Sequence, residues 1–113
     1  MIFNVYDVQI TDEAEGDLRR IYTYFAFTRQ EPRLARKIYN QIVDKLNTLE
    51  EMPFRYPVYQ KEPWKSRDVR QIFAGSYCGF YFVRENVVKV IRILYGGMDL
   101  NNALSETEFD DFD

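Results

Sequence analysis

Two arginines pose the chemical question. Arg92 lies in the run VVKVIRIL and Arg70 in DVRQIFA, both stretches otherwise rich in apolar side chains. If these are strands, alternation puts Arg92 on one face with Val88, Val90 and Leu94, and Arg70 beside Ile72 and Ala74. An unpaired guanidinium among such neighbours is costly, so each needs a carboxylate partner, a place at the sheet's edge, or an anionic ligand. Lys61, Lys65 and Arg67 add a short basic cluster upstream, which suits either a solvated loop or contact with a nucleic-acid or protein target. Tyr95 closes the Arg92 run just before Gly96-Gly97. The chain has no histidine, which excludes Ser-His and Cys-His nucleophile pairs and argues against the usual zinc sites. The only cysteine, Cys78, sits in an aromatic run where it packs, and it allows no intrachain disulfide. Any catalysis must therefore use lysine, arginine, tyrosine or carboxylates, and no metal or cofactor is expected.

The elements that position these residues follow from periodicity. Residues 5–10 (VYDVQI) alternate as a first strand and stop at Thr11-Asp12. Thr11 suits a helix cap, with Asp12 and Glu13 in the first turn, and Ala14, Leu18, Ile21, Tyr22 and Phe25 recur at helical spacing over 12–28. The RQEP stretch breaks that helix, and Pro32 starts a second one with the stripe Leu34, Ile38, Ile42, Leu46 and Leu49. A short connection implies an antiparallel hairpin. Residues 52–66 contain Pro53, Pro57 and Pro63, so neither a helix nor a central strand runs through them. Phe54, Tyr56, Tyr59 and Trp64 are available to tie this loop down. Residues 68–74, 77–84 and 87–95 read as three strands joined at Gly75-Ser76 and Glu85-Asn86, an antiparallel meander. The last two are apolar on both faces, which makes them interior strands covered by the helical hairpin. Residues 98–104 suit a short helical turn.

One domain over residues 1–104 is expected, because 113 residues bury roughly two-thirds of the surface the unfolded chain exposes. Nine Phe and nine Tyr suit a packed core. No apolar run is long enough to cross a bilayer, and residues 1–10 lack the marks of a signal peptide, so a cytoplasmic protein is expected. The net charge of -3 divides unevenly. Five of the 18 acidic residues lie in 105–113, so residues 1–105 carry 15 basic against 13 acidic side chains, and none of the basic residues lies beyond Arg92. The folded part is mildly basic, and residues 105–113 form an acidic tail. Its Phe109 and Phe112, interleaved with carboxylates, either fold onto the basic loop or Arg92 or stay solvated.

The order of these elements, with EAEGDLRRIYTYF behind the first strand, then FRYPVYQKEPWK, SYCGFYFV and a closing VIRILYGGMDL, resembles the RelE/ParE superfamily of bacterial type II toxins over residues 5–104. The resemblance implies an α+β fold, in which an N-terminal strand and an antiparallel helical hairpin pack on a sheet completed by the meander. It also implies a cytoplasmic toxin, associated with plasmid stabilisation and growth inhibition, that forms a hetero-oligomer with a cognate antitoxin. RelE-like members cut messenger RNA on the ribosome, and ParE-like members inhibit DNA gyrase. Cutting RNA needs a base for the ribose hydroxyl, cations for the phosphate and an acid for the leaving oxygen. By resemblance, Arg70 and Arg92 would hold the phosphate while Tyr95, Lys61 or Lys65 exchanged protons. Many relatives carry histidine where Tyr95 stands and arginine where Met98 stands, and tyrosine is a poor base at neutral pH unless cations crowd it. The long helical hairpin resembles ParE-like members. The resemblance therefore implies a ParE-like toxin that binds a macromolecular target, DNA gyrase first, through Lys61, Lys65, Arg67, Arg70 and Arg92. The alternatives are a metal-independent ribonuclease using Arg70, Arg92 and Tyr95, or a non-toxic antitoxin-binding member.

Overall fold

The computed structural model describes residues 5–107. Strand β1 (Asp7–Ile10) leads into helix α1 (Asp12–Thr23), whose cap is Thr11: its hydroxyl accepts from the Ala14 N–H at 3.2 Å. The same hydroxyl donates to the Ile91 carbonyl, fastening the helix start to the sheet. Thr11→Ala removes a cap and a tether, and should cost about 1–2 kcal/mol in denaturant unfolding. A loss below the scatter of the midpoint would show that the backbone alone sets this junction.

The helical path continues to Thr28, but its last five residues, Tyr24–Thr28, form a π-helical turn rather than the α-helix expected from spacing. Gln30 then takes the left-handed conformation (φ 54°), and α2 (Pro32–Asn47) starts with proline in its first turn, where the missing N–H costs nothing. Strands β2 (Arg70–Ala74), β3 (Tyr77–Arg84) and β4 (Val87–Tyr95) form the expected meander. The sheet order is β1-β4-β3-β2, with β1 parallel to β4, so β3 and β4 are the interior strands. A short helix α3 (Leu100–Ser105) follows, capped by the Asp99 carboxylate.

Each face of the sheet has its own core. On one, Leu18, Ile42, Leu46 and Leu49 of the hairpin and its extension pack on Ile72, Tyr81, Val88, Val90 and Ile93. Gly79 lets α2 approach closely here, since a Cβ would lie 3.0 Å from Leu46 Cδ2 and 3.3 Å from Ile72 Cγ2. The opposite face was expected to share the hairpin as its cover. It is instead covered by Tyr59, Trp64 and Val69 of the proline-rich loop and by Ala103 and Leu104 of α3, packed on Cys78, Phe80, Phe82, Ile91 and Leu94. Two of the four loop aromatics do the tying: Tyr59 and Trp64 are buried, whereas Phe54 is half exposed.

A β-bulge corrects the placement of Arg92. Tyr81 pairs with Val90 but Phe80 pairs with Arg92, so Ile91 is an extra residue on β4. Val88 and Val90 face the helical hairpin, and Arg92 and Leu94 fall on the other face with Phe80 and Cys78. Ser105 ends α3, and Thr107 is buried. The aromatic and acidic residues 108–113 lie outside the described structure.

Candidate functional site

Arg92 is the centre of a buried polar network. Its Nε donates to Asp17 Oδ2 at 2.7 Å and its Nη2 to Asp17 Oδ1 at 3.1 Å, a two-pronged pairing across α1 and β4. Nη1 donates to the Ala103 carbonyl at 3.2 Å and the Thr107 hydroxyl at 3.1 Å, and lies 3.6 Å from Glu13. Burial opposes the guanidinium's charge, but the hydrogen bonds and charge of Asp17, with Glu13 and Glu106, outweigh it and raise its pKa. Asp17 also accepts from the Ile93 N–H at 2.9 Å and from Arg20 at 2.7 Å. The Ile93 N–H lies beyond the end of β1, whose pairing with β4 stops at Val90, and the carboxylate takes the place of the missing strand. Of the three routes open to Arg92 in the sequence, a carboxylate partner is the one the fold uses.

Asp17 escaped the sequence reading, although a signal was present. It stands between Ala14, Leu18 and Ile21, a lone carboxylate inside an apolar helical stripe. Such a residue needs a buried cation or backbone donor, and here it has both.

Arg70 serves a different task. Its Nη1 donates to the Phe54 and Tyr56 carbonyls at 2.9 and 2.7 Å, its Nη2 reaches Asp68 at 3.5 Å, and its guanidinium lies 5.2 Å from the centre of the Phe54 ring. It clamps the turn Pro53–Arg55 against the sheet. Arg70 pairs with Tyr81 on the hairpin face, and Arg92 pairs with Phe80 on the other, so the two guanidinium groups stand on opposite faces. Tyr95 pairs with Tyr77, which pairs with Ala74, and it therefore lies about 13 Å along the sheet from the Arg70 row. The fold does not gather Arg70, Arg92 and Tyr95 around one point.

Tyr95 is 53% exposed and packs edge-on against Tyr77, with ring centres 6.0 Å apart. It lines a cavity with Phe25, Ile38, Gln41 and Tyr77. Lys61, Lys65 and Arg67 are exposed on the loop over the second face. The Lys65 N–H bonds the Lys61 carbonyl, placing these two lysines on one turn, and Arg67 lies 5.9 Å from the Trp64 ring. The loop basics share a face with Arg92, but the Arg92 guanidinium is already engaged there by Ala103 of α3 and by Thr107 just beyond it. Burial pushes the Cys78 thiol up to about 11, which removes it as a nucleophile near neutral pH. Among the described residues there is no cluster of three potential metal ligands, and no helix is long and apolar enough to cross a membrane.

A family model described as the ParE toxin of the type II toxin-antitoxin system parDE matches residues 8–100. Among solved structures, the chromosomal ParDE toxin-antitoxin system from P. aeruginosa matches with a TM-score of 0.68 at 20% identity, over 81% of this chain and 97% of that one. The toxin-antitoxin complex RelBE2 from Mycobacterium tuberculosis matches with a TM-score of 0.58 at 19% identity, over 80% and 98% of the respective chains. At such identities these structures establish the fold. No curated protein gives a significant match.

Proposed function

We propose, since the chain belongs to the ParE toxin family of type II toxin-antitoxin systems, that it arrests growth by binding a macromolecular target, DNA gyrase first, and is neutralised by a cognate antitoxin. The observation that carries this reading is the separation of the two strand arginines. Phosphate cleavage needs cations, a base and an acid within hydrogen-bond reach of one phosphodiester. Here one guanidinium is spent on Asp17 and the other on the loop carbonyls, on opposite faces of the sheet. A binding toxin requires only a shaped and charged surface, and Lys61, Lys65 and Arg67 provide exposed basic groups for one. The likeness to structures of toxin-antitoxin systems supports an antitoxin as the natural partner.

Controlled expression without an antitoxin should stop growth, and normal growth at confirmed expression of folded protein would defeat the toxin reading. Purified protein should inhibit supercoiling by gyrase and leave transcripts intact. Cleaved transcripts with unaffected supercoiling would establish a ribonuclease instead. Replacing Lys61, Lys65 and Arg67 together by glutamine should weaken target inhibition, with a loss that shrinks as rising salt screens the wild-type charges, while leaving the unfolding midpoint nearly unchanged.

A further inference from the structure

The helical hairpin carries a charge asymmetry that target binding through the proline-rich loop leaves unused. From Arg19 to Val43 the chain has six basic residues, Arg19, Arg20, Arg29, Arg33, Arg36 and Lys37, against one acidic residue, Glu31, a local excess of five in a chain of net charge -3. All six basic side chains are exposed. In the loop, by contrast, Lys61, Lys65 and Arg67 stand among Glu62 and Asp68, an excess of one. Two of the hairpin cations are answered within the fold: Arg20 bonds Asp17, and Arg29 lies 3.4 Å from Glu31. Among the described residues, Arg19, Arg33, Arg36 and Lys37 take part in no ion pair.

These four charges do not serve folding. Arg33 stands three residues before Arg36 and four before Lys37, so like charges share one solvated face of α2 at the spacing where they destabilise a helix. The first turn of α2 holds no acidic residue, although that end of the helix dipole favours carboxylates over cations. Arg19 continues the patch across the hairpin. It lines the groove between α1 and α2 with Tyr22 and Tyr39, whose rings meet edge-on with centres 6.2 Å apart. Arg36 precedes Tyr39 by three residues as Arg19 precedes Tyr22, so each ring has a guanidinium one turn away. Glu15 also lines the groove, which is therefore no anion pocket, and the cations act outward.

A polyanion complements this face. Three of the four unpaired cations are arginine, whose planar fork matches phosphate oxygens. The basic half of the hairpin, from Arg19 to its end at Thr28, is about 14 Å long at ~1.5 Å per residue, the length of about four phosphates along one duplex strand. Single strands bind by stacking bases on aromatic faces, whereas Tyr22 and Tyr39 are turned on each other. A protein interface is depleted of charge at its centre, and this face is charged throughout.

We propose that the basic half of the hairpin binds the phosphate backbone of duplex DNA through Arg19, Arg33, Arg36 and Lys37, without reading its sequence. The protein then has two basic surfaces on opposite faces of the sheet, and only the use of the loop for a protein target rests on the reading above.

The test measures the fluorescence anisotropy of a short labelled duplex of arbitrary sequence titrated with purified full-length protein. The dissociation constant should fall in the ~1–100 µM range of sequence-independent binding at physiological salt, and log affinity should fall against log salt with a slope of about -3 to -4, as four phosphate contacts require. The variant Arg19→Gln/Arg33→Gln/Arg36→Gln/Lys37→Gln should flatten the slope by about 1 for each residue and weaken binding at low salt at least about tenfold. Its unfolding midpoint should stay or rise, because glutamine suits a helix and removes the repulsion. Replacing Lys61, Lys65 and Arg67 by glutamine should leave most of the slope. Wild-type affinity in the hairpin variant, or an equal loss in the loop variant, would overturn the proposal. So would tighter binding to a single strand that is weakened by Phe27→Ala, the exposed ring at the hairpin's tip, which would give the face to unpaired bases. Displacement of the duplex by poly-glutamate as readily as by unlabelled duplex would give the face to an acidic protein and likewise overturn it. None of these readouts involves growth or supercoiling, so they stand apart from the toxin reading.

Discussion

Asp17→Ala should cost about 3–5 kcal/mol in denaturant unfolding, the usual penalty for removing one member of a buried ion pair. The substitution strips Arg92 of its two-pronged partner and leaves the Ile93 N–H without an acceptor at the point where β1 has ended. Glu13, at 3.6 Å and 39% exposed, is too distant and too hydrated to replace it. Arg20 provides the internal control: it also bonds Asp17, but its side chain is 68% exposed, so Arg20→Ala should cost less than about 1 kcal/mol. A double variant Asp17→Leu/Arg92→Met should recover much of the loss, because the penalty belongs to the stranded charge. If Asp17→Ala unfolds at the wild-type midpoint, the network does not hold α1, β4 and α3 together. The result also bears on growth assays. An Arg92 variant that loses toxicity has first to be shown folded, since Arg92 secures α3 through Ala103 and Thr107.

This network marks the limit of what the sequence discloses. The β3 and β4 strands are legible to the residue, because aromatic and β-branched runs end at the turn pairs Gly75-Ser76 and Glu85-Asn86, and Glu85 takes the left-handed conformation such a turn needs (φ 57°). The hairpin is legible from the stripes of α1 and α2 and from Pro32. The side to which Arg92 points is not. Period-2 counting fails when one residue is inserted, and nothing in VVKVIRILY advertises the bulge at Ile91. The cover of the second face is hidden for a related reason: residues 52–66 have no period, so their role emerges only from the long-range packing of Tyr59 and Trp64. The pairing of β1 with β4 joins residues some eighty positions apart and likewise has no local signature. The basic candidates Lys61, Lys65 and Arg67 were recognisable as an exposed cluster, while the structural use of Arg70 depends on loop carbonyls that no residue-type pattern encodes.

Arg70→Ala should therefore act on stability before it acts on any target, with a loss of about 2–4 kcal/mol, since hydrogen bonds to charged groups contribute about 1.5–3 kcal/mol each and are not fully additive. Two loop carbonyls lose their donor, and the stacking on Phe54 goes with them. Arg70→Lys keeps the charge but cannot reproduce the planar fork, and should recover only part of the loss. The same turn is held from beneath by the buried Tyr81 hydroxyl, which donates to the Pro53 carbonyl. Tyr81→Phe should cost about 1–2 kcal/mol by leaving that acceptor unpaired. The two side chains face each other across β2 and β3 and hold adjacent carbonyls of one short turn, so their effects should couple. Once Arg70 is gone, the turn can lift and hydrate Pro53, and the second substitution then costs little. A double variant whose loss equals the sum of the singles would mean that the turn stays in place without Arg70. In that case the arginine would be released from a structural role, and target binding would again account for its position on the strand.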